Sequence, residues 1–97
     1  MNIIWSPLAV ERLTEIAGYI AQDNPSAAEK WVNDIFNRVD HLHRFPEIGR
    51  IVPELSRKDI REILFKNYRI IYQIESEQLS ILTIRHGKQI LPQDDLE

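Results

Sequence analysis

Two helix-start signals near the beginning of the chain limit its fold more than any other feature. Ser6-Pro7 and Asn24-Pro25 each place a side-chain oxygen acceptor ahead of a proline. A proline is tolerated at the first position of a helix because its missing N–H would be unsatisfied there anyway. After Pro7, the apolar residues Ala9, Leu13, Ile16, Ala17 and Ile20 recur at helical spacing, with Glu11, Arg12 and Glu15 on the far side. After Pro25, Ala28, Val32, Ile35, Val39 and Leu42 form a second stripe, flanked by Trp31 and Phe36. The spacing predicts amphipathic helices over about residues 7–22 and 25–44. The second should stop at Phe45-Pro46, because a residue before proline avoids helical geometry. A link of two or three residues forces the two helices into an antiparallel hairpin.

The rest of the chain reads in a period of two. Ile3-Ile4-Trp5 suits a first strand, and residues 45–56, with Pro46, Gly49 and Pro53, read as a loop. Residues 60–65, 68–74 and 79–85 are rich in β-branched and aromatic side chains and read as strands. Lys66-Asn67 fits a two-residue hairpin turn, with Asn67 as the residue that tolerates left-handed geometry. The order is β-α-α-β-β-β. It predicts one α+β domain over residues 1–97, with an N-terminal helical hairpin packed on a mostly antiparallel sheet. Trp5, Trp31, Tyr19, Tyr68 and Tyr72 fall within the apolar periods and are expected in the core rather than stacked on bases.

Composition excludes several classes. With no cysteine among 97 residues there is neither a disulfide nor a thiolate metal site, which suits a reducing cytoplasm. No basic stretch followed by a long apolar run marks a signal peptide, and no run approaches the roughly 20 apolar residues of a membrane span. The final Leu96-Glu97 is given no weight. Three glycines form no phosphate-binding loop, and His41 and His43 diverge on a helix. No metal and no cofactor are therefore expected. The net charge of −3 is unevenly spread, with −3 over residues 1–47, +3 over 48–90 and −3 over 91–97. That asymmetry suggests two faces with different partners, against a reading of plain surface scatter.

Six segments in order resemble the ParE/RelE toxins of toxin–antitoxin systems, and in particular the ParE-like branch. They are Trp5-Ser6-Pro7-Leu8-Ala9, Ile16-Ala17-Gly18-Tyr19-Ile20, Asn24-Pro25-Ser26-Ala27-Ala28, Phe45-Pro46-Glu47-Ile48-Gly49-Arg50, the Arg61-Glu62 and Tyr68 to Tyr72 strands, and His86-Gly87-Lys88. The resemblance spans roughly residues 3–91. It implies a type II toxin that inhibits DNA gyrase by protein–protein contact and is neutralised by a cognate antitoxin in a hetero-oligomer. Contact with DNA would then be only indirect, and no membrane is involved. The RelE-like branch implies a ribosome-dependent endoribonuclease instead. A third reading is a non-toxic relative that only pairs with its antitoxin as a co-repressor.

Cleavage of RNA by its own 2′-hydroxyl needs a base, an acid and cations to hold the phosphate. The candidates are Arg69, Arg85 and His86. Strand alternation places Arg69 with Ile71 and Gln73, and Arg85 with Ile81 and Thr83, so paired strands would bring both arginines to one face. The opposing reading is that these arginines are salt-bridged, with Glu62 in reach. Net charge and a thin cation set favour that reading, so no catalytic residue is expected. Candidates for gripping a target are Arg57, Lys58, Arg61, Arg69, Arg85, His86 and Lys88. The stretch from Arg50 to Lys58 and the tail from His86 onward are expected to be the freest segments, and Asp94-Asp95 to fray.

Overall fold

The computed structural model describes residues 1–87 and Asp95. The chain runs through strand β1 (Asn2–Trp5), helix α1 (Pro7–Asp23), helix α2 (Pro25–Asp40), a 3₁₀ turn (His41–His43), and strands β2 (Arg50–Ile51), β3 (Ile60–Phe65), β4 (Tyr68–Ile74) and β5 (Gln78–His86). The five strands form one sheet in the order β1-β5-β4-β3-β2. β1 pairs parallel with β5, and the other neighbours are antiparallel. The helical hairpin covers one face. This is the expected α+β architecture.

Both helix starts work as their residue types dictate. Ser6 Oγ accepts from the Ala9 N–H at 3.0 Å, and Asn24 Oδ1 accepts from Ala27 at 3.1 Å. Ser6 also ties α1 to the sheet, because its hydroxyl donates to the Leu82 carbonyl at 2.9 Å and its N–H to the Ile81 carbonyl at 3.0 Å. One apolar layer fills the space between helices and sheet. Ala9, Leu13, Trp31, Ile35, Val39 and Leu42 meet Phe65, Ile70, Tyr72, Leu79, Ile81 and Ile84 there.

Several boundaries and orientations differ from expectation. α2 ends at Asp40 rather than 44. The approach to Phe45-Pro46 tightens its last turn to 3₁₀, and the Arg44 and Phe45 N–H groups both donate to the His41 carbonyl. The segment read as loop contains β2, which pairs Arg50 with Glu62 and Ile51 with Arg61. Lys66, with φ of 53°, takes the left-handed position of the β3–β4 turn in place of Asn67. Tyr19 is 73% exposed and so not a core residue, because it lies beside the apolar stripe of α1 rather than in it.

A β-bulge in β5 also alters the expected faces. Ile71 pairs with Thr83 but Tyr72 with Ile81, so Leu82 is an extra residue. The bulge turns Ile81 to the helix-covered face with Ile84, while Thr83 and Arg85 face the other way. A simple alternation would have kept Ile81, Thr83 and Arg85 together. Leu82 packs instead into a second, small cluster with Val52, Leu55, Ile60 and Ile71 beneath the β2–β3 connection.

The Phe45 to Arg50 segment is clamped by one buried phenol. Tyr72 donates its hydroxyl to the Pro46 carbonyl at 2.7 Å and accepts from the Gly49 N–H at 2.9 Å. A Cβ on Gly49 would lie 2.5 Å from that oxygen and 2.7 Å from the Glu62 carbonyl oxygen, both closer than packed atoms approach. Burial pushes the Tyr72 hydroxyl above its ordinary pKa, against the opposing pull of the Gly49 N–H. The neutral phenol is therefore favoured in the folded state. Its stabilisation is fully present below the ordinary tyrosine value of about 10 and is lost as pH rises through the folded value.

Gly49→Ala should destabilise the chain by about 1–3 kcal/mol in urea unfolding, through overpacking against Tyr72 and the β3 backbone. Tyr72→Phe should cost about 1–3 kcal/mol, since it leaves the buried Gly49 N–H unpaired. It should also remove part of the alkaline fall in stability, read as unfolding midpoints on either side of about pH 10.

Candidate functional site

The sheet face away from the helices carries the charged residues. β3 presents Glu62 there, β4 presents Arg69 and β5 presents Arg85. Arg69 and Arg85 are direct cross-strand partners, as the pairing of two adjacent strands requires. The expectation that they share a face is met.

Their electrostatic setting is that of a closed ionic array. Arg69 is 5% exposed and Glu62 1%. The Arg69 Nε donates to Glu62 Oε1 at 2.7 Å, and its two terminal nitrogens donate to the two Glu54 oxygens at 2.8 Å each. The other Glu62 oxygen accepts from Arg50 Nε. A planar guanidinium is thus held by one bidentate and one single carboxylate contact, the geometry in which arginine binds carboxylates most strongly. The hydrogen bonds that Arg69 donates to Glu54, and then to Glu62, raise its pKa further and outweigh the lowering effect of burial. Glu54 comes from the stretch between β2 and β3, which was expected to be free. It is anchored by fully buried Val52, whose carbonyl accepts from the Leu55 and Ser56 N–H groups.

Arg85 has its own carboxylate. Its Nη1 lies 3.4 Å from Asp95, which also accepts from the Thr83 hydroxyl at 3.3 Å and approaches Arg12 at 3.6 Å. Asp95 is 6% exposed, so the expected fraying does not hold at this residue. Two arginines and a hydroxyl offer it more than solvent would. Asp94, Lys88 and Leu96-Glu97 lie outside the described residues.

The remaining candidates are spread over the molecule. His86 pairs with Tyr68 across the strands and meets its ring edge-on at 5.9 Å, on the face opposite Arg85. His86 and Arg69 both border a shallow cavity of about 180 Å³ at the sheet end, with Arg50 and Lys66, but Arg85 does not. Arg61 turns to the carbonyls of Lys58, Glu47 and Gly49. Arg57 pairs with Asp59 at 2.7 Å, and with Gln73 it lowers the Asp59 pKa. Lys58 is exposed. The three residues named for RNA cleavage therefore do not share one cavity. Sequence reading missed Glu54 and Arg50 as members of the array, because their partners are remote in sequence and no local pattern marks the pairing. Among the described residues, no cluster of histidine, aspartate or glutamate has the grouping of a metal site, and no helix is long and apolar enough to cross a membrane.

Comparison with known proteins decides the family. The family described as ParE toxin of type II toxin-antitoxin system, parDE, matches residues 3–91. The chain belongs to the ParE toxin family. Y4kP of Sinorhizobium fredii is 39% identical over 94 residues, covering 95% of this chain and 94% of that protein. Toxin RelE2 of Caulobacter vibrioides is 30% identical over 90 residues, covering 92% and 98%. A solved structure of a chromosomal ParDE system from P. aeruginosa superposes with a TM-score of 0.75 at 22% identity, covering 91% of this chain and 97% of that one. That likeness supports the fold. The ParE-family assignment makes this chain the toxin of a type II toxin–antitoxin system. In this structure the Phe45 to Arg50 segment is held by the Tyr72 clamp and the Arg50–Glu62 pair.

Glu62→Gln should destabilise this ParE toxin by about 1–3 kcal/mol in urea unfolding, because Arg50 and buried Arg69 each lose a charged partner while Arg69 keeps its Glu54 pair. Arg57→Ala, which breaks an exposed pair, should cost less than about 1 kcal/mol.

Proposed function

We propose that this ParE toxin acts by occupying a protein target, DNA gyrase, and not by cleaving RNA. The observation that carries this reading is the neutralised state of Arg69. A cation that stabilises a phosphate as charge builds must be available to it. Here the Arg69 fork is already bound by Glu54 and Glu62 at 2.7–2.8 Å. Breaking those contacts to receive a phosphate would leave a 1%-exposed glutamate without one of its two counter-charges. The separation of Arg85 from the cavity that Arg69 and His86 share supports the same conclusion.

The proposed antitoxin contact is the groove across the helical hairpin. Leu13, Ala17, Gly18 and Ala21 of α1 face Ala28 and Val32 of α2 around a cavity of about 450 Å³. Small residues there leave room for an apolar stripe of another helix or an extended segment. The toxin–antitoxin hetero-oligomer then covers apolar surface that would otherwise face water. The −3 charge of the chain suits protein contacts better than wrapping by nucleic acid, and DNA is reached only through the antitoxin or gyrase.

Purified toxin should inhibit gyrase supercoiling and accumulate cleaved DNA, and stoichiometric antitoxin should reverse both effects. Induction in cells should give no codon-phased cuts in messenger RNA by primer extension. Codon-phased cutting with intact supercoiling would replace this reading with the endoribonuclease, and harmless overexpression would favour the co-repressor. Ala17→Arg, which fills the groove with charge, should weaken antitoxin binding at least about ten-fold by calorimetry while leaving gyrase inhibition in place.

A further inference from the structure

The surface between the end of α2 and the β3–β4 turn carries a cation pair that neither the ionic array nor the helical groove uses. The Arg38 guanidinium lies 5.3 Å from the centroid of the Phe65 ring, and the Lys66 ammonium 5.4 Å from it. Among the described residues, no ion pair includes either cation. The ring attracts each of them but neutralises neither, and two like charges gathered on one ring repel each other. The backbone beneath Lys66 carries a second cost. Its φ of 53° is left-handed, a region that lysine adopts less readily than asparagine. Asn67 stands next to it, yet the turn gives that position to the lysine. Strain of this kind persists where the surrounding structure holds it, and it gathers at ligand sites.

Both cations line one cavity of about 380 Å³, together with Lys30, Asn37 and His41. That volume is in the range of small-molecule sites. The acid in its lining, Asp34, is already paired with Lys30 at 2.9 Å. The Asn37 amide and a ring nitrogen of His41 add N–H donors. The lining is therefore rich in donors and cations and poor in acids, in a chain whose net charge is −3.

We propose that this cavity binds a short phosphate chain, a di- or triphosphate, either free or carried by a nucleotide. Adjacent phosphates bring several negative charges and many acceptor oxygens into a small space, which suits two unpaired cations on one cavity wall. Phe65 is 8% exposed and already carries the cations, so it has no face to offer a base. Recognition therefore falls on the phosphates. An oligonucleotide spaces its charges along a strand and would bring fewer of them into the cavity at once. The cavity shares no residue with the hairpin groove and only Lys66 with the cavity beside Arg69. Its occupation would fasten the end of α2 to the β3–β4 turn, whichever target the toxin attacks.

Calorimetric titration of the full chain with inorganic tripolyphosphate, at fixed ionic strength and without divalent metal, tests this directly. ATP should bind about as tightly as tripolyphosphate, and a short single-stranded oligonucleotide about ten-fold more weakly or worse. Saturating tripolyphosphate should raise the thermal unfolding midpoint. Arg38→Gln and Lys66→Asn should each weaken binding about ten-fold, whereas Arg57→Gln should leave it unchanged. No binding of tripolyphosphate, tighter binding of the oligonucleotide, a clear preference for ATP over tripolyphosphate or an equal loss in Arg57→Gln would each overturn the proposal. If the Arg38 or Lys66 variant does not fold, amide chemical shifts of the unmodified chain decide. Tripolyphosphate should move the Arg38, His41 and Lys66 signals and leave Arg57 in place, and any other pattern would overturn the proposal.

Discussion

One buried carboxylate organises the face of this toxin that points away from its helices. Glu62 sits almost without solvent between Arg50 and Arg69 and accepts from each with a different oxygen. Burying a carboxylate without partners is costly, and two counter-charges make it tolerable. The contact with Arg50 draws the edge strand β2 onto β3, and the contact with Arg69 joins β3 to β4. Glu54 closes the array from above and pulls the β2–β3 connection down over Val52 and Ile71. A segment rich in proline and charge becomes part of the body of the protein because its acid has an arginine to meet.

The same arrangement bears on chemistry. A nuclease built on this sheet would need its central arginine held in readiness. Here the arginine is held in a completed contact. Ion pairs of this kind contribute specificity of structure more than net stability, since burial costs about as much as the attraction returns. The array fixes the shape of this sheet face, and shape is what the binding activity proposed above requires.

The helical hairpin was readable because two independent local rules agreed: capping residues before proline, and apolar spacing at the helical period. The strands were readable for a similar reason, with β-branched runs separated by a short turn. Errors arose where a single residue depended on distant ones. Leu82 becomes a bulge because Ser6 holds its carbonyl and the small second cluster accepts its side chain, and neither partner is near it in sequence. Asp95 is drawn in by Arg12, Thr83 and Arg85, again from remote elements. The shared face of Arg69 and Arg85 followed from strand pairing alone. Their occupation by Glu54 and Asp95 did not, because no local pattern indicates which acid reaches which base.

The parallel pairing of β1 with β5 joins Ile3 to Leu79 and Trp5 to Ile81, so the first strand of the chain waits for nearly the last. During synthesis the helical hairpin emerges early, and its apolar stripe has no sheet to cover it until β4 and β5 appear. Such non-local closure is slow and leaves sticky surface exposed in the interval. Until β4 and β5 arrive the sheet is incomplete, and the hairpin's apolar stripe stays open to any apolar segment that reaches it.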